Sequence, residues 1–287
     1  MKFSICVPTY NRANIVGSTI KSVLDQTFMD WEMLVVDDGS VDNTEQVIQE
    51  FQDKRIKYFK KENGGKHTAL NVGISNASGE FFIILDSDDT LVPDCLETML
   101  EYLEKTEGNS LFAGIMGRCS FENGQVIGEL FSSKENELSY VDFHYRTTKN
   151  YGDCCEAVRT ELLKQYRFPE GLGFKFVPER FIFDQIGINH KLICVNNVFK
   201  VVTYLGDGIT MNAKGHLKKN AEGFLLDCVN KLTVVFPVVK DISIKRRFKM
   251  WVKYWVLYRH VKKQEYKIFK VPFLGRVAKM ASYLYKL

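Results

Sequence analysis

The 287-residue chain lacks most of the patterns that assign a protein quickly. No stretch reaches the roughly 18 apolar residues of a membrane-spanning helix. The start, Met1-Lys2-Phe3-Ser4-Ile5-Cys6-Val7, is too short an apolar run for a secretory signal. The seven cysteines are odd in number and include no CxxC pair and no zinc-type spacing. Cys154 and Cys155 are adjacent, which suits neither an ordinary disulfide nor a metal site, so reduced and mostly buried thiols in the cytoplasm are expected. There is no GxxxxGK[ST], and no GxGxxG follows a strand, which disfavours P-loop hydrolases and dinucleotide dehydrogenases. Neither an internal repeat nor a low-complexity linker interrupts the chain.

What is present is long enough to bury a substantial core, and its composition, 45% hydrophobic and 26% charged, is that of a globular protein. The formal charge of +4 conceals an asymmetry: residues 241–287 hold 13 Lys/Arg against 2 Asp/Glu, leaving 26 against 33 before them. An acidic body carries a basic tail.

The first hundred residues alternate between two periods. Strands are expected at Phe3–Pro8, Met33–Val36, Ile56–Phe59 and Phe81–Leu85. Helices are expected at Ile15–Gln26, from Asp42 to Phe51 with Asp42 and Glu45 at capping-box spacing, at Lys66–Ala77, and from Pro93. Such alternation predicts an α/β fold, a sheet of mainly parallel strands covered on both faces. From 110 to 215 the pattern is less regular, with added strands expected at Ile193–Val195 and Phe199–Tyr204. From 216 onward the chain reads as helical and basic. The expected organisation is 1–110, 111–215 as the second half of the same domain, and a helical extension over 216–287.

Polar clusters fall at the carboxyl ends of the strands: Thr9-Tyr10-Asn11, Asp37-Asp38-Gly39-Ser40, Asn63-Gly64-Gly65-Lys66 and Asp86-Ser87-Asp88-Asp89. Open α/β sheets bind ligands in the crevice outside those ends. The last cluster puts three carboxylates into four positions after five apolar residues. Like charges this close repel, and a divalent cation relieves the conflict; Asp86 and Asp88, two apart, can face one hard metal that keeps waters and takes phosphate oxygens. The competing reading is a polar turn with Asp89 capping the next helix. Gly64-Gly65-Lys66 suits a phosphate, through close backbone amides and a cation, and equally a plain turn.

These stretches carry a resemblance. "FSICVPTYNR", "SVLDQTFMDWEMLVVDDGSVDNTE", "NGGKHTALNVGISNASGEFFIILDSDD" and "LVPDCLETML" resemble, in order and spacing, the family-2 glycosyltransferases of GT-A fold. The resemblance implies a nucleotide-sugar donor, often a UDP-sugar, a Mn²⁺ or Mg²⁺ ion, and inverting transfer of a hexosyl or N-acetylhexosaminyl group to a hydroxyl. Carried over, Pro8, Thr9, Tyr10 and Asn11 line the base and ribose pocket, Asp38 accepts from base or ribose, and Asp37 holds the turn. Lys66 lies near the diphosphate, Asp86 faces the ribose or the metal's water shell, and Asp88 is the direct metal ligand. Asn71 serves either a structural hydrogen bond or the ligand. "FVPERFIFDQIGINHKLICVNN" resembles the family's acceptor-side segment, although Pro178-Glu179-Arg180 lacks the usual acidic pair. Glu179 takes the place of the base, with Asp184 as the alternative. His216 and Asp153 are further candidates, and Trp31 is expected in the core.

Within 245–263, Phe248, Trp251, Trp255 and Tyr258 recur at helical spacing among Lys and Arg. That predicts a helix on an anionic membrane surface, aromatics at the headgroups, against a packed-helix alternative. No nucleic-acid motif accompanies it. Together the expectation is a transferase acting on a glycan or lipid-linked acceptor in surface-polysaccharide synthesis, peripheral on the inner face of the plasma membrane. Two alternatives are a non-catalytic nucleotide-sugar-binding subunit and a nucleotidyltransferase.

Overall fold

The computed structural model describes residues 1–170, 174–203, 213–261, 263–268 and 270–285. Strand β1 (Phe3–Thr9) is buried at every position and has parallel neighbours on both sides. Cys6 pairs with Leu34 of β2 (Trp31–Asp37) and with Ile84 of β4 (Phe81–Ile84). Outside β2 lies β3 (Ile56–Lys60), also parallel. The chain therefore builds outward on one side of β1 and then returns to its other side, so the strand order reverses between β1 and β4. That reversal opens a crevice at the strands' carboxyl ends.

Helices α1 (Val16–Leu24), α2 (Thr44–Gln49) and α3 (Lys66–Asn76) make the crossovers. Each falls where the apolar spacing predicts; in α1 the inward stripe is Val16, Thr19, Ile20 and Val23. The expected capping box at α2 does not form. Asp42 accepts from the Thr44 amide at 3.1 Å, but Glu45 turns outward to Lys60 at 2.7 Å, because the neighbouring strand offers a full charge where the helix offers one amide.

β5 (Thr90–Leu91), α4 (Cys95–Leu103), β6 (Phe112–Ser120), β7 (Glu137–Leu138), β8 (Cys154–Arg159), α5 (Thr160–Leu163), α6 (Arg180–Ile186) and β9 (Lys191–Val201) follow. They extend the same sheet to the order β3-β2-β1-β4-β8-β6-β9-β5, with β7 also on β9. β8 runs antiparallel between β4 and β6, and β9 lies parallel to β6. Six of the nine strands thus share one direction, the mixed, mainly parallel sheet that was expected. The two expected segments at 193–195 and 199–204 form one strand, β9, whose pairing shifts register at irregularities; Tyr204 lies outside the described residues. Two apolar clusters cover the two sheet faces. One is centred on Ile5, Val7, Val35 and Ile83 with α1 and α4; the other on Cys6, Leu34, Val36 and Phe82 with α3 and α6. Trp31 is in the first, as expected, under the Arg55 guanidinium at 3.7 Å.

The remaining helices are α7 (Ala213–Lys219), α8 (Ala221–Asn230), α9 (Phe236–Val238), α10 (Ile244–Val261) and α11 (Phe273–Ser282). They correct the sequence reading of the tail. The aromatic face of α10 does not look outward: Trp251, Tyr254 and Trp255 are 5%, 0% and 7% exposed and pack on α8 and α11. Ring edges meet one another, and Trp255 Nε1 donates to the Gly275 carbonyl at 2.9 Å. Burying such rings among each other removes more apolar area from water than resting them on headgroups.

Candidate functional site

The crevice between β1 and β4 widens into a cavity of about 920 Å³. Its walls come from all four polar clusters, from β8 and β9, and from the segments before α6 and around α7.

On one side Pro8, Thr9 and Tyr10 line it, the last 45% exposed. Thr9 Oγ1 is buried without a partner among the described residues, a polar atom awaiting a ligand. Asn11 departs from expectation. It is outside the lining and adopts φ 53°, and its side-chain oxygen accepts from the Val41 amide at 2.9 Å, so it is spent on joining two loops. Asp37 holds its turn through the Ser40 amide at 2.7 Å and accepts from Tyr58 Oη at 2.8 Å. Asp38 lines the cavity, but its carboxylate already receives Lys61 Nζ at 2.8 Å and the amides of Gly64 and Gly65 at 2.9 and 2.7 Å. It anchors the loop that presents Lys66. Gly65 is required there: its φ is 96°, and a Cβ would overlap the Lys175 carbonyl.

Lys66, at the start of α3, bridges Asp86 at 2.5 Å and Glu179 at 2.7 Å. Burial opposes its charge, but the two carboxylates outweigh burial and raise its pKa above the ordinary value. At Asp86 burial is in turn outweighed by Lys66 together with Lys200 and Arg12, which lower that carboxyl. Asp89 does not cap α4; it pairs with the buried Lys200 of β9 at 2.8 Å, because a buried ammonium needs a counter-charge. Asp88 has no hydrogen bond or ion pair to another side chain among the described residues, and burial together with Asp86 and Asp89 raises its pKa. An unpaired carboxylate pressed by like charges fits a cation. The fit is partial: no cluster of three or more His, Cys, Asp or Glu stands ready among the described residues, so water and phosphate oxygens would complete the shell.

Glu179 lines the cavity at the entry to α6, across from Asp86. Asp184, the alternative base, does not reach it. Its side chain is fully buried and accepts from Tyr145 Oη, lies 2.6 Å from His144 Nδ1, and sits 3.8 Å from Lys231 Nζ. One helical turn and a half separates it from the cavity-facing residue. Lys231 in turn pairs with Asp227 at 2.5 Å, and Arg180 reaches Asp227 at 3.3 Å. This closed network ties α6 to α8. Asn71 is structural: it exchanges hydrogen bonds with the Phe168 backbone at 2.9 and 3.0 Å. His216 and Asp153 do line the cavity, and His216 Nε2 is buried without a partner among the described residues.

Among the cavity residues that sequence reasoning missed are Lys200 and Glu156. Each is a charge inside an apolar strand run, Val198-Phe199-Lys200-Val201-Val202 and Cys154-Cys155-Glu156-Ala157-Val158, and that pattern is the signal that would have found them.

Comparison with known proteins agrees with this geometry. The profile of glycosyl transferase family 2 matches residues 4–167. A Campylobacter jejuni protein, GalNAc(5)-diNAcBac-PP-undecaprenol beta-1,3-glucosyltransferase, is 36% identical over 177 residues, which are 59% of this chain and 55% of that one. An Escherichia coli UDP-Glc:alpha-D-GlcNAc-diphosphoundecaprenol beta-1,3-glucosyltransferase is 32% identical over 169 residues, 58% of this chain and 63% of that one. The chain thus spans between half and two thirds of the length of these relatives. Among solved structures, Staphylococcus aureus TarS 1–349 in complex with UDP-GlcNAc superposes with a TM-score of 0.65 at 20% identity, covering 98% of this chain and 79% of that one. A Pyrobaculum calidifontis mannosyltransferase in complex with GDP-Man and Mn²⁺ gives 0.61 at 17% identity, covering 99% and 81%. The fold is that of the GT-A glycosyltransferases, and the chain belongs to glycosyl transferase family 2.

Proposed function

We propose that the protein transfers a hexosyl or N-acetylhexosaminyl group, with inversion, from a nucleotide sugar, foremost a UDP-sugar, to a hydroxyl of a lipid-linked or free glycan acceptor in polysaccharide synthesis. The observation that carries this is the Lys66 bridge between Asp86 and Glu179 at the topological switch. Thr9 and Tyr10 would meet the nucleoside, and Lys66 the diphosphate. Asp88 with Asp86 would hold a divalent cation, which supplies positive charge against the leaving diphosphate. Paired to Lys66, Glu179 is a restrained base. Diphosphate oxygens compete for the ammonium and free the carboxylate to take the acceptor's proton. The acceptor oxygen then attacks the anomeric carbon from the face opposite the bond to phosphate; that bond breaks, and no nucleophilic residue is needed.

A screen of donor hydrolysis across nucleotide sugars with Mn²⁺ or Mg²⁺, followed by transfer to a polyprenyl-diphosphate-linked sugar, tests the reading. Hydrolysis or transfer of one donor supports it. Binding with neither would indicate a nucleotide-sugar-binding subunit instead.

A lipid-linked acceptor, as the names of both curated relatives specify for those proteins, calls for contact with a membrane. No described helix is long and apolar enough to cross one. The 241–287 region supports surface contact through α11 rather than α10. Phe273, Val277, Met280 and Leu284 recur at one-turn spacing and are 82%, 40%, 76% and 86% exposed. Gly275, Ala278 and Ser282 on the opposite side face the helical core. Exposed Lys270, Arg276 and Lys279 flank the stripe, and residues 266–287 contain no acidic side chain. An apolar stripe edged by cations fits an anionic bilayer, on the inner face of the plasma membrane.

A further inference from the structure

Glu156 is a cavity residue that the chemistry above leaves idle. It belongs to β8, where it pairs with Met116 of β6. One step from the Ala157–Ile83 pair, it also comes alongside Ile84 of β4. Its lateral neighbours are therefore an apolar, buried Met116 and an apolar, half-buried Ile84. Val158, two residues on and on the same face, is buried in the apolar cluster beneath. A carboxylate in such a strip is costly unless something accepts its company.

Among the described residues no side chain does. The other acidic groups that shape the cavity are spoken for: Asp38 by Lys61, Asp86 and Glu179 by Lys66, Asp89 by Lys200. Asp88 is unpaired but stands in the cluster suited to a cation. Glu156 has no hydrogen bond or ion pair to another side chain among the described residues. Burial pushes its pKa up to about 7, opposed by Lys200 and reinforced by Asp153 and Glu179.

Its position narrows what it can take. Glu156 shares a sheet face with Ile84, lines the same cavity as Asp86, and is close enough to Glu179 to feel its charge. It thus lies on the cavity floor between the diphosphate side and the base. An anionic diphosphate would be repelled there. A carboxylate offers two adjacent acceptors and, ionised, no donor, and its complement is a pair of neighbouring hydroxyls. We propose that Glu156 holds the transferred sugar of the donor by accepting hydrogen bonds from two vicinal hydroxyls, and so is the specificity-determining contact for that sugar. This rests on the nucleotide-sugar reading of the same cavity.

The test is a binding panel with Mn²⁺ present: UDP, UDP-glucose, UDP-galactose, UDP-GlcNAc, GDP and GDP-mannose against wild type, Glu156→Gln and Glu156→Ala. The readout is the ratio of nucleotide-sugar to nucleotide affinity, alongside melting temperature and turnover. Wild type should bind one sugar nucleotide more tightly than its parent nucleotide. Glu156→Ala should lose that increment by tenfold or more, and Glu156→Gln, whose amide keeps one acceptor, by less. Parent-nucleotide affinity should stay within twofold and the melting temperature should not fall. An increment intact in Glu156→Ala overturns the proposal alone. So does an intact increment with turnover down a hundredfold, which would make Glu156 a proton acceptor, and so does a fall in parent-nucleotide affinity and melting temperature together, which would make it structural. Wild-type protein that binds no nucleotide overturns the functional reading and this with it.

Discussion

Glu179 Oε1 stands 2.7 Å from Lys66 Nζ, so the candidate base and the candidate diphosphate ligand are in direct contact. The contact joins the start of α3 to the start of α6, two segments 113 positions apart. A diphosphate that claimed the lysine would leave the Glu179 carboxylate open to an acceptor hydroxyl. Glu179→Gln should reduce kcat by about 10²–10⁴ with nucleotide-sugar affinity close to wild type. Lys66→Met should instead weaken diphosphate binding. Steady-state kinetics and calorimetry on the two proteins separate the effects, and near-normal turnover in Glu179→Gln would remove it as the base.

Asp88→Ala should abolish metal-dependent UDP binding and transfer without lowering the melting temperature. Burial and two neighbouring carboxylates work against its ionised form, so its removal relieves repulsion in the metal-free protein. Titration calorimetry with and without chelator, beside a thermal melt, checks both halves. Full activity in excess chelator would refute the metal assignment.

The network under α6 has the opposite signature. Lys231 and Asp227 are both fully buried and 2.5 Å apart. Lys231→Met leaves two buried carboxylates, Asp227 and Asp184, short of a cation, and should cost about 3–5 kcal/mol of stability. Replacing both Lys231 and Asp227 with apolar residues should recover part of it. Urea titration of the single and double variants measures the difference. Asp184→Asn should likewise show its effect in stability before catalysis.

His67 sets an acid limit. It is buried, stacked on Phe174 at 5.3 Å, and its Nδ1 has no partner among the described residues. Burial pulls its pKa down to about 4; Asp38, Glu170 and Glu179 act against that and Lys61 with it. The folded state thus binds fewer protons here than the unfolded chain, so this contribution is present above pH ~6.5 and is lost as the pH falls toward 4. The loss amounts to at most about 3 kcal/mol. Stability measured at pH 7.5 and 5 should show a smaller drop in His67→Phe than in wild type.

Phe273→Asp with Met280→Asp should remove binding to vesicles containing phosphatidylglycerol while UDP binding persists. Wild-type binding should weaken with salt, each cation near such a surface contributing about 1 kcal/mol. Vesicle co-sedimentation reads this. Unchanged sedimentation of the double variant, or a wild-type dimer that the same changes dissociate, would assign the stripe elsewhere.

The first hundred residues were legible because strand and helix there alternate with little tertiary interference, and because ligand-facing residues follow strand ends. Asp86, Asp88 and Lys66 were singled out that way, and all three line the cavity. Asn11 and Asp38 show the limit: their residue types suited a ligand, yet cross-loop amides took them, and those partners are 30 and 26 positions away. Asp184 was misjudged because chain proximity to Glu179 says nothing about which side of α6 it takes. The aromatic face of α10 followed helical spacing, as expected, but spacing is silent on whether lipid or another helix covers it.

The antiparallel insertion of β8 has a consequence for how the protein comes into being. Phe81, Phe82 and Ile83 find their outer partners only at Arg159, Val158 and Ala157. Until the ribosome has released that later stretch, the nascent sheet ends in a bare, aromatic edge, the kind that recruits other chains. Residues 1–110, which hold most of the groups proposed to meet the nucleotide, should therefore clump when expressed alone, whereas a fragment reaching past Arg159 can close its own edge.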